Sequence, residues 1–147
     1  MIREATKYDK TQIIDLIRLI RDESKIEELQ FENEQQWNHL LDTMLAGAGI
    51  IYIDIKDDVL TGVIMGLIIP SVWCNKSLIL HELMWFVKKE YRKFTIGYKL
   101  FKAFIEYGKK LKIENRIKYF VMGKLPTSPN MNYEKYGFKK TDESWIQ

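Results

Sequence analysis

The chain has 147 residues, of which 46% are apolar and 29% charged, and its 23 basic and 20 acidic residues give a net charge of +3. These values are typical of one globular domain with its own core, and so mild a charge argues against a nucleic-acid partner. The single cysteine, Cys74, excludes an internal disulfide and a cysteine zinc cluster, and we expect no bound metal. Neither an apolar run of membrane-spanning length nor a signal-peptide pattern is present. We therefore expect a cytoplasmic protein with no membrane partner.

The N-terminal part of the chain predicts a strand followed by a helix. Residues 1–5 are expected to form the strand. Asp9 is placed to cap the helix, with Gln12 reaching back as in a capping box. The apolar residues that follow recur on one helical face, with charged residues opposite; they are Ile13, Ile14, Ile17 and Ile20.

The next segments predict a polar connection, a second helix and a β-hairpin. Residues 23–33 are charged and polar and are expected to form a loop. A helix is predicted over 34–45, because its apolar residues recur at helical spacing and Gly47 follows to stop it. Two apolar runs, 50–55 and 59–69, flank a short polar turn and predict a hairpin.

The most informative stretch lies in the middle of the chain. Residues 78–87 predict a buried strand, 88–95 a polar turn and 96–112 a helix. The first N–H groups of a helix have no partner within the helix, and the helix dipole adds partial positive charge there. This strand–turn–helix therefore predicts an anion site suited to a pyrophosphate.

The C-terminal part predicts a strand over 116–122, a loop over 123–130, a short helix over 131–136 and a last strand over 138–146. The full order is β-α-α-β-β-β-α-β-α-β. This order predicts a single α/β domain over 1–147, with a mixed sheet flanked by helices.

Residues 87–97, Val-Lys-Lys-Glu-Tyr-Arg-Lys-Phe-Thr-Ile-Gly, resemble the acyl-CoA loop of the GNAT superfamily of N-acetyltransferases. In that loop a strand ending in Val leads to Arg or Gln, two residues, Gly, one residue and then Gly or Ala. Arg92 fills the Arg/Gln position and Gly97 the last glycine, while Thr95 stands where the first glycine is expected. Residues 133–138, Tyr-Glu-Lys-Tyr-Gly-Phe, closely resemble the family's Tyr-x-Lys-x-Gly-Phe motif. The start of the chain and the order of elements also match, so the resemblance covers the whole sequence.

The resemblance implies a single GNAT-like domain with a central mixed, mostly antiparallel sheet, and transfer of an acetyl group from acetyl-CoA to a primary amine. It assigns the main-chain N–H of Val87 to the thioester carbonyl, whose oxygen gains charge during transfer. It also implies a pyrophosphate site formed largely by main-chain N–H groups. The residues around that site are Arg92, Lys93, Thr95, Ile96, Gly97 and Tyr98.

Acid–base chemistry on the amine and the thiolate has three candidates. His81 and Glu82 lie on the predicted central strand, and they face opposite sides unless a bulge intervenes, so the sequence leaves open which one is the base. Glu82, Trp85 and Val87 also resemble a Glu-x-x-Trp-x-Val pattern of phage-encoded members. Tyr133 is the candidate that protonates the thiolate.

Two alternatives stay open. The first is a catalytically inactive GNAT-like binding or structural module, possibly phage-associated, which the departure at Thr95 favours. The second is another nucleotide-binding α/β protein, against which the absence of P-loop and dinucleotide-binding motifs argues. The sequence does not specify whether the acceptor amine is a small molecule or a protein. An exposed edge strand over 138–146 would offer a surface for a homodimer.

Overall fold

Five strands form one sheet, and their order in the sheet is the order in which they occur along the chain. The computed structural model describes all 147 residues; its strands are β1 (Ile2–Glu4), β2 (Gly49–Lys56), β3 (Val59–Ser71), β4 (Cys74–Val87) and β5 (Tyr119–Val121). The first four strands pair antiparallel, and β5 runs parallel to β4. The sheet is therefore mixed and mostly antiparallel, which confirms the fold that the resemblance implies.

Helices cover both faces of the sheet. The α-helices are α1 (Lys10–Ser24), α2 (Glu34–Thr43), which continues into a π turn (Met44–Ala48), and α3 (Ile96–Ile113). The apolar faces of α1 and α2 pack in one buried cluster on the first side, and α3 packs in a second cluster on the other side. The predicted buried face of α1 is confirmed, since Ile13, Ile14, Ile17 and Ile20 are all buried. No helix is both long enough and apolar enough to span a membrane.

Short turns join these elements close to their predicted positions. The β2–β3 hairpin turns at Asp57 and Asp58, whose φ angles of 50° and 62° are those of the primed turn that suits the twist of paired strands. A single 3-10 turn (Tyr133–Tyr136) takes the place of the short helix predicted over 131–136, and Gly137 ends it in a left-handed conformation. The strand predicted over 116–122 is shorter than expected and comprises only β5.

The prediction of a last strand over 138–146 is wrong. Residues 138–147 have no regular secondary structure, and β5 is left at the edge of the sheet. Phe138 packs in the α3-side cluster, but residues 139–144 are all polar or charged and all exposed. A strand there would bury no alternating apolar face, which is what stabilises a strand on a sheet. The segment is consequently not the edge strand that was expected to support a homodimer.

The predicted capping box at the start of α1 is also wrong. The Asp9 carboxylate accepts hydrogen bonds from the Arg3 guanidinium at 2.8 Å and from the main-chain N–H of Thr6 at 2.7 Å. The capping box thus lies one turn earlier, between Thr6 and Asp9. Gln12 instead accepts a hydrogen bond from the main-chain N–H of Leu60 at 2.9 Å, which fastens α1 to β3.

A bulge in β4 decides which side chains face which helices. Met65 of β3 pairs with Met84 and Gly66 pairs with Glu82, so Leu83 is an extra residue with no opposite partner. Gly66 faces α3, because a Cβ there would lie 2.9 Å from the Phe104 ring. Its cross-strand partner Glu82 therefore faces α3 as well.

Candidate active site

Glu82 is a buried carboxylic acid at the centre of the sheet. The residue is only 5% exposed, and its Oε2 accepts a hydrogen bond from the main-chain N–H of Gly123 at 3.0 Å. The other oxygen, Oε1, accepts no hydrogen bond from the protein. Burial raises the pKa of Glu82 to about 7, and the Gly123 N–H opposes the rise. A carboxyl group with such a pKa can take up and release a proton near neutral pH.

Tyr133 lies on the same side of the sheet as Glu82. Its hydroxyl is buried and has no hydrogen-bond partner, and its ring packs edge-on against Phe101 of α3, 6.1 Å between centroids. Burial raises the pKa of the Tyr133 phenol, and the negative charge of Glu82 raises it further. The structure therefore places two of the three acid–base candidates near each other.

His81 lies on the opposite side. It pairs with Leu67 of β3, which packs against the α1–α2 cluster, and cross-strand partners share a face. Its Nδ1 is 2.8 Å from the main-chain oxygen of Glu82, and the ring is half-buried. The bulge at Leu83 does not bring the two side chains together, because it lies after both of them.

The strands β4 and β5 separate beyond the middle of the sheet. Their pairing ends at His81 and Val121, six residues before Val87. The main-chain N–H of Lys88 donates to the Thr61 carbonyl at 2.8 Å, so the neighbouring pair of Val87 with Gly62 is a non-hydrogen-bonded pair of the antiparallel ladder. The N–H of Val87 consequently points away from β3, towards the side from which β5 has departed.

The start of α3 offers main-chain donors, as the sequence predicts. The first main-chain hydrogen bond of α3 runs from the N–H of Lys99 to the Thr95 carbonyl at 3.0 Å. The preceding N–H groups, those of Ile96, Gly97 and Tyr98, therefore have no main-chain acceptor. The Thr95 hydroxyl does not cap them. These groups and the helix dipole make the turn attractive to an anion.

Two surfaces flank this helix end. On the β2 side lies a cleft of about 440 Å³ whose basic residues are Lys56, Lys93 and Lys99 and which Thr95 and Ile96 also line. On the other side, a Cβ at Gly97 would lie 3.5 Å from Pro129 and 3.6 Å from Val87. The loop that follows β5 thus packs directly on the first turn of α3, next to the end of β4.

Arg92 does not direct its side chain at the helix end. Its Nε donates to the Val87 carbonyl at 2.8 Å, its terminal nitrogens bind the Glu23 carboxylate at 2.6 and 2.7 Å, and it lies over the Phe86 ring at 5.1 Å. Glu23 is at the end of α1, so Arg92 ties that helix to the end of β4. A phosphate contact from this guanidinium would require release of one of these partners.

Sequence reasoning missed three features of the site. They are the Gly123 N–H that contacts Glu82, the packing of Pro129 on Gly97, and a buried indole N–H of Trp85 that has no partner. Each depends on contacts between segments far apart in the chain, for which the sequence carries no local signal.

Several solved structures similar to this chain are named acetyltransferases. One, from Clostridium acetobutylicum and named a predicted acetyltransferase with acetyl-CoA, has a TM-score of 0.79 at 16% identity, covering 100% of this chain and 94% of the other. An acetyltransferase of Trypanosoma brucei has a TM-score of 0.70 at 14% identity, with 100% and 97% covered. A GNAT family acetyltransferase of Staphylococcus aureus has a TM-score of 0.65 at 18% identity, with 100% and 96% covered. At these identities the likeness shows the fold.

Sequence comparison gives the family. No curated protein sequence matches the chain. The family model described as Acetyltransferase (GNAT) family matches residues 13–138, which include every residue of the site described above. The chain therefore belongs to the GNAT family of acetyltransferases.

Proposed function

We propose that the protein is an N-acetyltransferase that moves an acetyl group from acetyl-CoA directly to a primary amine. The observation that carries this proposal is the buried carboxyl group of Glu82 beside the gap between β4 and β5, with Tyr133 on the same side of the sheet and close enough to respond to its charge. The first is a carboxyl group with a pKa of about 7, and the second is a phenol whose hydroxyl has no partner in the protein. General acid–base catalysis needs one group of each kind.

Each residue has one role in the proposed reaction. Glu82 accepts a proton from the amine, whose nitrogen forms a bond to the acetyl carbon. The main-chain N–H of Val87 donates to the carbonyl oxygen while that oxygen gains charge. The C–S bond then breaks, and Tyr133 gives its proton to the thiolate; because burial raises its pKa, the phenol is protonated at neutral pH.

The proposed cofactor site combines the donors at the start of α3 with its basic surroundings. The N–H groups of Ile96, Gly97 and Tyr98 would hold the pyrophosphate, with Thr95 and Lys93 beside them. Arg92 is proposed to contribute through the Val87 carbonyl that it fixes. We propose a cytoplasmic location and leave the acceptor as a small-molecule or protein amine.

A titration of acetyl-CoA followed by calorimetry tests the cofactor site. Gly97→Glu places bulk and negative charge at the start of α3, whereas Gly97→Ala is the matched control, since its Cβ would make only ordinary contacts at 3.5 Å and beyond. We expect binding in the wild type and in Gly97→Ala, and its loss in Gly97→Glu. A folded wild type that binds no acetyl-CoA contradicts the proposal.

Turnover is tested by release of free CoA thiol in the presence of a panel of amines. Formation of an acetylated amine supports the proposed reaction. Binding of acetyl-CoA without transfer to any small or peptidic amine would instead identify the protein as a binding module of the family.

A further inference from the structure

Two buried polar atoms in the chain stand out because they have no hydrogen-bond partner. They are the indole Nε1 of Trp85 and the hydroxyl of Tyr133, and no other buried side-chain nitrogen or oxygen is left in this state. Nearly all buried polar groups in proteins are paired, so each exception calls for an explanation. Both rings pack on Phe101, with Trp85 stacked at 5.1 Å and Tyr133 edge-on at 6.1 Å between centroids. The two exceptions therefore occur at one place.

Trp85 lies between the proposed base and the proposed carbonyl donor. It follows Glu82 and precedes Val87 on β4, and the bulge at Leu83 leaves all three side chains on the α3 side. The residue is only 2% exposed, so the indole lies away from bulk solvent. The indole N–H is thus a fixed donor inside the cluster that contains the rest of the site.

The chemistry of the indole limits what can satisfy it. Its nitrogen donates and does not accept, so the partner must be an acceptor atom. An anion would lose much of its hydration among these aromatic rings, whereas an amide or thioester carbonyl loses far less. The acyl-pantetheine part of an acyl-CoA carries such carbonyl groups.

We propose that the indole N–H of Trp85 donates a hydrogen bond to a carbonyl oxygen of the acyl-pantetheine chain, and so forms part of the thioester-binding site. The inference rests on the proposed function. Pro129 of the loop that follows β5 and Val87 at the end of β4 both lie beside Gly97 at the start of α3. Trp85 then contributes to recognition of the pantetheine portion and not of the nucleotide portion.

The variant Trp85→Phe tests this assignment because it retains a ring to stack on Phe101 and lacks the N–H. A neutral hydrogen bond contributes modestly, so we expect acetyl-CoA to bind about three- to tenfold more weakly. Binding of adenosine 3′,5′-bisphosphate, which lacks pantetheine, should not change. The matched control is Trp73→Phe, whose side chain is 87% exposed at the tip of the β3–β4 hairpin and which should bind both ligands like the wild type.

A second measurement uses the wild-type protein. With ¹⁵N-labelled tryptophan, the four indole N–H groups give separate resonances, and the one missing from Trp85→Phe is that of Trp85. Acetyl-CoA should shift this proton downfield, as hydrogen bonding does, whereas adenosine 3′,5′-bisphosphate should leave it in place.

The outcomes separate this inference from the proposed function. If the wild type binds and uses acetyl-CoA but the Trp85 resonance does not move, or Trp85→Phe binds as tightly as the wild type, the inference is wrong and the enzyme assignment stands. If the wild type binds no acyl-CoA at all, both are wrong.

Discussion

Replacement of Glu82 by Gln should make the protein more stable and less active. Burial raises the pKa of Glu82 from 4.5 to about 7. Between these two values the folded protein holds a proton that the unfolded chain has lost. The stability that this proton provides is complete below pH 4.5 and is lost as the pH rises through about 7. The amide of Gln carries no charge at any of these pH values, and it can still accept the Gly123 N–H.

The size of the effect follows from the two pKa values. Each pH unit between them removes about 1.4 kcal/mol from the free energy of unfolding, so the wild type loses on the order of 3 kcal/mol by neutral pH. Glu82→Gln should match the wild type at pH 4.5 and exceed its stability by up to about 3 kcal/mol at pH 8. The buried site justifies the full figure, since little solvent screens it.

Urea unfolding of both proteins from pH 4.5 to 8 measures this difference, and other titrating groups cancel in it. Glu90→Gln is the control, because it makes the same substitution at an exposed glutamate. The kcat/KM of the wild type should rise with pH to a plateau above about 7. Glu82→Gln should lower kcat/KM by a factor of about 10²–10⁴. A stability difference that does not vary with pH would refute the reasoning.

Three further changes test other parts of the site. Tyr133→Phe should lower kcat at saturating acetyl-CoA without lowering stability in urea, because the lost hydroxyl has no partner. A double-mutant cycle of Glu23→Gln with Arg92→Gln should give a coupling of about 0.5–1 kcal/mol that shrinks with added salt, as for a half-exposed pair; a salt-independent value would contradict this. Gly66→Ala should cost about 1–3 kcal/mol in urea unfolding, because its Cβ would meet the β4 main chain at 2.9 Å, whereas Gly97→Ala should cost almost nothing.

The sequence predicts well those helices and strands whose apolar residues recur on one face, because that face must be buried in the core. The isoleucines of α1 and the β2–β3 hairpin are examples, since periodicity and turn residues decide them locally. The strand predicted over 138–146 has no apolar face to bury on the sheet. Its polar run from Lys139 to Ser144 could not support a strand, and this explains the difference.

The candidate site could be predicted as a set of residues but not as an arrangement. Whether His81 or Glu82 faces α3 depends on the pairing with β3, and Gly66 opposite Glu82 leaves the space that the Phe104 ring occupies. A shift of one residue in that pairing would exchange the two faces. Arg92 likewise matches a cofactor motif by its spacing, yet its side chain binds Glu23, a residue 69 positions away. Such long-range choices are made by packing and leave no mark in the local sequence.

The distribution of satisfied and unsatisfied polar groups is itself an argument for where the function lies. Elsewhere in the protein, buried polar groups are paired: Asp9 binds Arg3 at 2.8 Å, and Asp54 accepts from the Thr61 hydroxyl at 2.5 Å. On the α3 side of β4, by contrast, a carboxyl group is buried without a counter-charge, and two aromatic side chains keep polar atoms without partners. Each of these features lowers stability, and a core that served packing alone would have apolar residues there. Their concentration beside the gap between β4 and β5 is what a site built to receive a polar ligand requires.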